Sequence, residues 1–369
     1  METEHGIYVG DSRQMDRLGD DSVELVVTSP PYPMIEMWDE VFGELNPEIG
    51  DRMDDGEGKA AFQLMHEELE ETWQEVSRVL VDGGIACINI GDATRKVDGR
   101  FRVYQNHARI IDAFEALGFD PLPDILWRKP VNSAAKFMGS GMLPPNAYAT
   151  LEHEYILVFR NGRESRTFEP KAERRYNAAY FWEERNEWFS DVWLDIRGTL
   201  QRLNNNALRE RSAAYPLEIP YRLISMYSVY GDTVLDPFWG TGTSSLAAMV
   251  AGRNSVGYER QEEFTNVFRE RVDEVGRMSR EIVRERLSRH RSFAEAREAD
   301  GDPLGYSAAN YDFPVMTEQE RNILFYVVDA VESADDGYVV THSAVEGSAE
   351  FDRSGPDGQS TLGTDFSAT

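Results

Sequence analysis

Apolar residues along the chain follow two alternating periodicities. Continuous apolar and β-branched runs predict short strands at 6–11, 23–28, 85–91, 124–127, 233–238 and 255–259. Apolar residues spaced three and four apart predict amphipathic helices at 62–80, 110–117, 216–230, 243–250 and 264–287. Because strands and helices alternate, we predict an α/β fold with a doubly wound, mostly parallel sheet.

This alternation breaks between residues 129 and 206. Apolar periodicity persists there only at 155–159, and aromatic residues are interleaved with arginines. An insertion into the sheet would explain the break. The predicted division is 1–128 for the first half of the sheet, 129–206 for the insertion, 207–291 for the second half, 292–346 for a small acidic helical segment and 347–369 for a disordered tail. A capping box at Thr317–Glu320 predicts that a helix begins there and continues to about Val331.

Composition excludes several classes of protein. The chain has 369 residues, of which 41 % are apolar, so it can bury a full α/β core and a smaller second unit. It contains no run of eighteen apolar residues, and its N-terminus lacks a basic region followed by an apolar stretch. Cys87 is the only cysteine, so we expect neither an intrachain disulfide nor a cysteine metal site, and we assign no metal ligand elsewhere. We therefore expect a cytoplasmic protein.

The net charge of −28 is unusual for a protein that would bind nucleic acid. Arginine supplies 33 of the 38 basic residues, and a lysine-poor, acidic composition is typical of proteins from halophiles. In molar salt the Debye length is about 3 Å, so an acidic body repels DNA only at short range. Residues 128–211 carry a net charge of +3 and the rest of the chain −31. This difference is either chance clustering or the mark of a segment that faces nucleic acid.

A strand followed by an acid and a glycine-rich turn occurs at Val234–Thr243. The turn contains Asp236, Pro237, Phe238, Gly240, Gly242 and Thr243. Glycines allow a tight turn and a close approach of the backbone to a ligand beyond the carboxyl end of the strand. Glu259 ends the next predicted strand, where an acid would bind ribose hydroxyls. The pattern predicts a nucleoside cofactor.

The second motif is Thr28-Ser29-Pro30-Pro31-Tyr32, at the end of a predicted strand. Consecutive prolines have no N–H groups and hold the chain in a rigid extended shape, which leaves carbonyl oxygens free to accept hydrogen bonds. The Ser29 side chain and the Pro30 carbonyl could therefore accept the two N–H groups of an amine, and Tyr32 could stack on the aromatic ring that carries it. An amine whose lone pair is delocalised into such a ring is a weak nucleophile, so positioning and electrostatics would supply most of the rate acceleration.

Together, the two motifs resemble those of the S-adenosylmethionine-dependent DNA amino-methyltransferases. The motif at Thr28–Tyr32, which we call the base motif, precedes the motif at Val234–Thr243, which we call the cofactor motif. This is the order of the permuted β class, and the resemblance covers about residues 6–270. It implies a Rossmann-like methyltransferase sheet with an inserted target-recognition region, S-adenosylmethionine as cofactor and a base flipped out of duplex DNA. It also implies that Asp11 contacts the adenine end of the cofactor.

Ser29 resembles the residue found in cytosine-N4 enzymes, whereas adenine-N6 enzymes usually carry Asp or Asn at this position. Adenine-N6 methylation stays the alternative. A C5-cytosine enzyme would need a Pro-Cys nucleophile. Cys87, the only cysteine, follows Ala86 within a predicted strand, so this class of enzyme is excluded. A non-catalytic DNA-binding protein on the same fold is a further alternative, against which both intact motifs argue.

The expected partner is double-stranded DNA. The basic residues proposed to contact it are Arg128, Lys129, Lys136, Arg174, Arg175, Arg197 and Arg202. A cognate restriction endonuclease and a homodimer are left open. A short palindrome such as CTAG is the candidate recognition sequence, suggested by the halophilic composition.

Overall fold

A computed structural model describes residues 1–129, 138–196 and 215–347, without the side chain of Met138. Its strands are β1 Glu2–Val9, β2 Val23–Thr28, β3 Leu80–Ile90, β4 Ala93–Val97, β5 Arg100–Tyr104, β6 Phe119–Arg128, β7 Met138–Gly139, β8 Ala147–Tyr148, β9 His153–Asn161, β10 Val192–Trp193, β11 Thr233–Asp236, β12 Asn254–Glu259, β13 Tyr306–Ser307, β14 Pro314–Val315, β15 Tyr326–Ala334 and β16 Gly337–Ala344. Its α-helices are α1 Asp39–Leu45, α2 Glu48–Asp54, α3 Gly58–Val79, α4 Asn106–Ala116, α5 Glu173–Asn177, α6 Trp182–Trp188, α7 Glu218–Tyr227, α8 Thr243–Ala251, α9 Glu263–Val272 and α10 Val275–Ala299. Short 3₁₀ helices lie at Glu36–Trp38 and Glu318–Asn322.

Within the described residues, ten strands form one sheet in the order β10-β6-β9-β3-β2-β11-β12-β1-β16-β15. Strands β9 and β16 are antiparallel to their neighbours, and the other pairings are parallel. The carboxyl ends of β1, β2, β3, β6, β11 and β12 therefore lie along one edge, which we call the carboxyl edge. The opposite edge is called the amino edge. This arrangement confirms the predicted α/β fold with a mostly parallel central sheet.

Two apolar layers cover the faces of the sheet because successive strand residues point to opposite sides. Leu25 and Val27 of β2 pack in the layer that contains α7, α8 and α10. Val26 packs in the other layer, which contains α3 and α4. A strand buried on both faces has this continuous apolar sequence, which is why the pattern at 23–28 predicted it. In the described part of the chain, no helix is long and apolar enough to cross a membrane.

Strand β9 corrects the predicted extent of the insertion. Residues 153–161 lie between β3 and β6 in the central sheet and pair antiparallel with both. The apolar run at 155–159 is therefore part of the sheet and not of the insertion assigned to 129–206. Ile156, Leu157, Val158 and Phe159 are buried because both faces of the strand are covered.

The predicted C-terminal helix is wrong. The capping box at Thr317 and Glu320 is present, but it opens only the 3₁₀ helix Glu318–Asn322. Strands β15 and β16 follow as a hairpin that extends the sheet beyond β1. The β-branched residues Val327, Val328 and Val331 favour a strand, and pairing with β16 overrides the local helical spacing. The long predicted helix at 264–287 is two helices, α9 and α10, and the tail from 348 onward lies outside the described residues.

Candidate active site at the carboxyl edge

A cleft with a volume of about 280 Å³ opens at the carboxyl edge and brings the two motifs together. Its lining contains most of the residues predicted for the base and cofactor sites: Asp11, Ser29, Pro30, Pro31, Asp236, Pro237, Phe238, Gly240, Thr243 and Glu259. Met37, Trp38, Val41, Phe42 and Leu45, on the segment that follows the base motif, provide an apolar wall. Tyr32 and Gly242 are not among the lining residues.

Asp236 links the two motifs directly. The Thr28 hydroxyl donates a hydrogen bond to Asp236 Oδ1 at 2.6 Å, and the Ser244 hydroxyl donates to Oδ2 at 2.6 Å. The backbone N–H of Phe238 also donates to Oδ1, at 3.1 Å. Burial raises the pKa of Asp236 to about 6, although these three donors favour the carboxylate. The carboxylate therefore lies in a preorganised position at the end of β11, where a cation would stabilise its charged form.

Glu259 holds the glycine-rich turn in place. The backbone N–H of Gly240 donates to Glu259 Oε2 at 2.8 Å, and the N–H of Gln261 donates to Oε1 at 2.9 Å. Burial raises the pKa of Glu259, and these backbone donors partly offset the effect. Each oxygen keeps a second lone pair, so the carboxylate can still accept hydrogen bonds from a diol such as a ribose.

Asp11 lies at the end of β1 and forms a fork-shaped ion pair with Arg13, with the closest N–O distance 2.8 Å. Burial disfavours the Asp11 carboxylate, but the hydrogen bonds and charge of Arg13 outweigh burial and lower its pKa. Arg13 also contacts Glu68 on α3 at 2.8 Å. Asp11 is thus anchored in the cleft wall as an ionised acceptor.

The two glycines of the cofactor motif have different roles. Gly240 has a φ of +53° and open space around the position of a Cβ atom, so a ligand can approach it closely. Gly242 has a φ of +74°, and a Cβ there would lie 2.2 Å from the Phe268 ring and 2.7 Å from the Trp239 ring. Gly242 was predicted to bind the cofactor, but its surroundings give it a packing role at the start of α8.

The acidic and apolar groups of the cleft fit S-adenosylmethionine. Asp236 offers a carboxylate to an ammonium group, and Glu259 offers acceptors to ribose hydroxyls. Phe238, Tyr258 and Phe264 provide apolar and aromatic surface for a purine ring. The cofactor has no phosphates, and the fit relies on these acids and aromatic groups.

Tyr32 belongs to a polar cluster beside the cleft. Its hydroxyl donates to Glu154 Oε2 at 3.0 Å and lies 3.1 Å from Ser29 Oγ. Asn89 Nδ2 donates to the Tyr32 oxygen and to Glu154 Oε2, each at 2.8 Å. Burial, and then the charge of Glu154, raise the pKa of Tyr32 well above its usual value, so the phenol stays protonated. Lys129 Nζ donates to Glu154 Oε1 at 2.8 Å.

Glu154 is the functional candidate that sequence reasoning missed. It is the second residue of β9, and only the antiparallel placement of that strand between β3 and β6 brings its side chain to the carboxyl edge. Asn89, near the end of β3, could be found from the sequence because it lies at the end of a predicted strand. No local pattern indicates Glu154, because its partner Tyr32 is 122 residues away in the chain.

The residues predicted to contact DNA are divided between the two edges. Arg128 pairs with Glu152 at 3.3 Å and, like Lys129, lies at the carboxyl edge. Arg174 instead lies 3.6 Å from Asp232, which precedes β11 at the amino edge, and Arg175 covers the Phe168 ring. The structure therefore does not bring Arg174 and Arg175 to the base motif. Lys136, Arg197 and Arg202 lie outside the described residues.

Comparisons with known proteins agree with this geometry. Residues 23–270 match the N6/N4 methyltransferase family, described as DNA methylase. The chain is 54 % identical over 329 residues to the type II methyltransferase M.MthZI of Methanothermobacter thermautotrophicus, covering 88 % of this chain and 91 % of the relative. It is 53 % identical over 281 residues to the type II methyltransferase M.MjaI of Methanocaldococcus jannaschii, covering 73 % and 91 %.

A solved structure from Thermus thermophilus, described as a DNA modification methylase in complex with S-adenosyl-L-methionine, is also similar. The two chains are 32 % identical with a TM-score of 0.57, and the match covers 73 % of this chain and 94 % of the other. The chain described here therefore belongs to the N6/N4 DNA methylase family and uses S-adenosylmethionine as its cofactor.

Proposed function

We propose that this methyltransferase modifies the exocyclic N4 amine of a cytosine flipped out of duplex DNA. The observation that carries the proposal is that one cleft is lined by Ser29 and Pro30 as well as by Asp236 and Glu259. A 2.6 Å hydrogen bond from the Thr28 hydroxyl to Asp236 connects the two motifs. The base motif comes before the cofactor motif in the chain, which is the order of the permuted β class.

Each part of the cleft has one role in this proposal. Asp236 accepts the ammonium group of S-adenosylmethionine, Glu259 accepts its ribose hydroxyls, and Asp11 lies toward the adenine end. When bound, the cofactor supplies an electrophilic methyl group carried on a sulfonium. The apolar wall around Trp38 and Phe42 excludes water, which strengthens the electrostatic interactions inside the cleft.

The amine needs two hydrogen-bond acceptors, and the polar cluster prepares one of them. The Glu154 carboxylate can only accept, so the single hydroxyl hydrogen of Tyr32 is donated to it. The Ser29 hydroxyl must then donate to the Tyr32 oxygen, and the lone pairs of Ser29 Oγ are left for the amine. The Pro30 carbonyl is proposed as the second acceptor.

The same chain of hydroxyl groups offers a path for the proton that the amine loses. Methylation of a neutral amine leaves the nitrogen with one surplus proton, which would pass through Ser29 and Tyr32 toward Glu154. Lys129 stabilises the negative charge of Glu154 before that transfer. Stacking of the Tyr32 ring on the base stays a prediction.

Digestion of product DNA and mass spectrometry of its nucleosides tests the choice of base. We expect N4-methylcytosine after incubation of the full chain with unmethylated duplex DNA and S-adenosylmethionine. Finding N6-methyladenine alone would replace cytosine by adenine and leave the cleft assignments intact. DNA binding without methyl transfer would favour the non-catalytic alternative.

Sequencing of the methylated positions defines the recognition site. Expression in a host that lacks DNA methylation gives a genome in which every modified base comes from this enzyme. CTAG is the candidate to be tested, and a different common sequence around the modified bases would remove it. A cognate endonuclease and a homodimer stay open alternatives.

A further inference from the structure

Two hairpins protrude from the carboxyl edge beside the base motif. The first, Ala93–Tyr104, contains β4 and β5 and follows the end of β3. The second, Met138–Tyr148, contains β7 and β8 and lies in the connection between β6 and β9. The rings of Phe101 and Tyr148 stack with their centroids 5.4 Å apart and only 3° between their planes. We call the exposed faces of residues 93–104 and 138–148 the paired-hairpin surface.

The base of the first hairpin is fixed to the proposed active site. Gly91, just before it, lies against the Tyr32 ring. Asn106, just after it, donates to the Pro33 carbonyl at 3.1 Å and to the Gly91 carbonyl at 2.8 Å. Arg95 forms a bidentate pair with Asp39 on α1, at 2.6 and 2.7 Å. The hairpin is therefore held rigidly next to the base motif.

The charge of this hairpin is opposite to that of the whole molecule. Residues 93–104 contain four basic residues and one acid, in a chain with 66 acids and a net charge of −28. Lys96 and Arg100 are exposed, and neither has an ion pair with any described residue. Many other arginines of the described chain are paired with carboxylates. Unpaired cations in so acidic a protein indicate a partner that is itself an anion.

The surface is also apolar. Of the twelve large apolar side chains exposed among the described residues, five belong to these two short segments: Phe101, Val103, Met142, Leu143 and Tyr148. Met142 and Leu143 are 82 % and 69 % exposed. A concentration of exposed apolar groups marks an interaction site. Apolar contacts keep their strength at high salt, where contacts to phosphates lose theirs.

From this charge, this exposure and the continuity with the cleft, we infer that the paired-hairpin surface binds the duplex DNA that flanks the target base. Lys96 and Arg100 contact phosphates, and the apolar side chains contact sugars and bases. The inference rests on the proposed function. It places part of the DNA interface outside residues 128–211, which composition alone had favoured.

The test measures affinity for a labelled duplex that carries a mapped methylation site, over a range of KCl concentrations, with the full chain. Lys96→Gln/Arg100→Gln is expected to weaken binding at least about tenfold and to lower the slope of log K against log salt by about one to two. The control Arg163→Gln/Lys171→Gln removes the same charge from exposed positions that lie beyond β9, away from the carboxyl edge. It should leave affinity and slope unchanged.

A second variant separates the apolar contribution. Met142→Ser/Leu143→Ser should weaken binding with no change in the salt slope, because apolar contacts release no counterions. For both double variants the loss should appear as a higher KM for DNA, because the altered side chains lie outside the cleft. Cofactor affinity and the circular dichroism spectrum serve as checks on folding.

Three outcomes overturn the inference while methyl transfer by the wild type continues. One is an affinity of Lys96→Gln/Arg100→Gln equal to that of the control. Another is an unchanged affinity of Met142→Ser/Leu143→Ser. The last is that a double variant differs from the wild type in oligomeric state, measured by sedimentation, but not in DNA affinity. That result would assign the surface to a second copy of the chain. Failure of the wild type to methylate DNA would instead refute the proposed function.

Discussion

At the scale of single residues, hydrogen-bond donors determine what each carboxylate of the cleft can do. Asp236 accepts from three donors and still has a raised pKa, because burial outweighs them. Asp11 has a lowered pKa, because Arg13 outweighs burial. Sequence predicted both acids as cofactor ligands, but their opposite pKa shifts depend on neighbours that only folding supplies.

Changing Tyr32 to Phe tests the hydroxyl chain. The variant keeps the ring and removes the link from Ser29 to Glu154, so we expect kcat to fall about 10- to 100-fold with unchanged cofactor affinity. Tyr32→Ala should lose a further 1–3 kcal/mol or so if the ring stacks on the base. Steady-state rates with labelled cofactor measure both. Tyr155→Phe, on the same strand as Glu154, is the control. A wild-type kcat for Tyr32→Phe would contradict the proposed hydrogen-bonded path from Ser29 through Tyr32 to Glu154.

Asp236 should make cofactor binding depend on pH. Its folded pKa of about 6 is above the ordinary value of 3.8, so the charged form predominates only above about pH 6. We expect affinity for S-adenosylmethionine to rise about tenfold in total between pH 5 and pH 8, with about fivefold of the rise between pH 5 and pH 6, and to level off above pH 7 or so. Calorimetry from pH 5 to pH 8 measures this. Asp236→Asn should bind weakly at every pH, and a persistent slope in that variant would assign the titration to Glu259.

At the scale of elements, the sequence correctly predicted strands and helices where one hydrophobic periodicity dominates the segment. Strand β2 and helix α3 occur where continuous apolar runs and three-four spacing predicted them. The segment after Thr317 did not form the predicted helix, because Val327 and Val328 pair with β16 and this pairing outweighs the spacing. Strand β9 was visible as an apolar run, but its membership of the central sheet depends on two distant strands.

Gly242→Ala tests the packing role of the second motif glycine. The positive φ of Gly242 and the 2.2 Å approach to Phe268 should together destabilise the variant by about 2–5 kcal/mol. Gly240→Ala is the matched control, since its φ is also positive but its surroundings are open, and about 1 kcal/mol is expected. Urea unfolding monitored by circular dichroism gives both values. Equal losses for the two variants would remove the packing argument.

At the scale of the whole molecule, charge and topology act together. The base motif and the cofactor motif lie on neighbouring strands, β2 and β11, although they are separated by about two hundred residues. Within a chain of net charge −28, residues 93–104 of the paired-hairpin surface carry four basic residues and one acid. On the inference above, this locally basic and apolar face is the one that the acidic molecule turns toward DNA.

The net charge of −28 predicts that salt stabilises the folded chain. Repulsion between carboxylates favours the unfolded state, and screening reduces it as the Debye length falls from about 10 Å at 0.1 M to about 3 Å at 1 M. We expect the melting temperature to rise steadily with KCl over this range. Thermal unfolding in sucrose of equal osmolality is the control. A melting temperature independent of KCl would contradict the halophilic interpretation of the composition.

The sequence by itself determined the alternating α/β pattern, the two motifs and their order, because these depend on residues close together in the chain. It also identified Asp11, Asp236, Glu259 and Ser29, all of which line the cleft. Only the tertiary structure decided that Glu154 lies within hydrogen-bonding distance of Tyr32, that Arg174 lies at the amino edge and that Gly242 packs against Phe268. These contacts depend on strand order and register, which are set by long-range pairing and leave no local pattern to read.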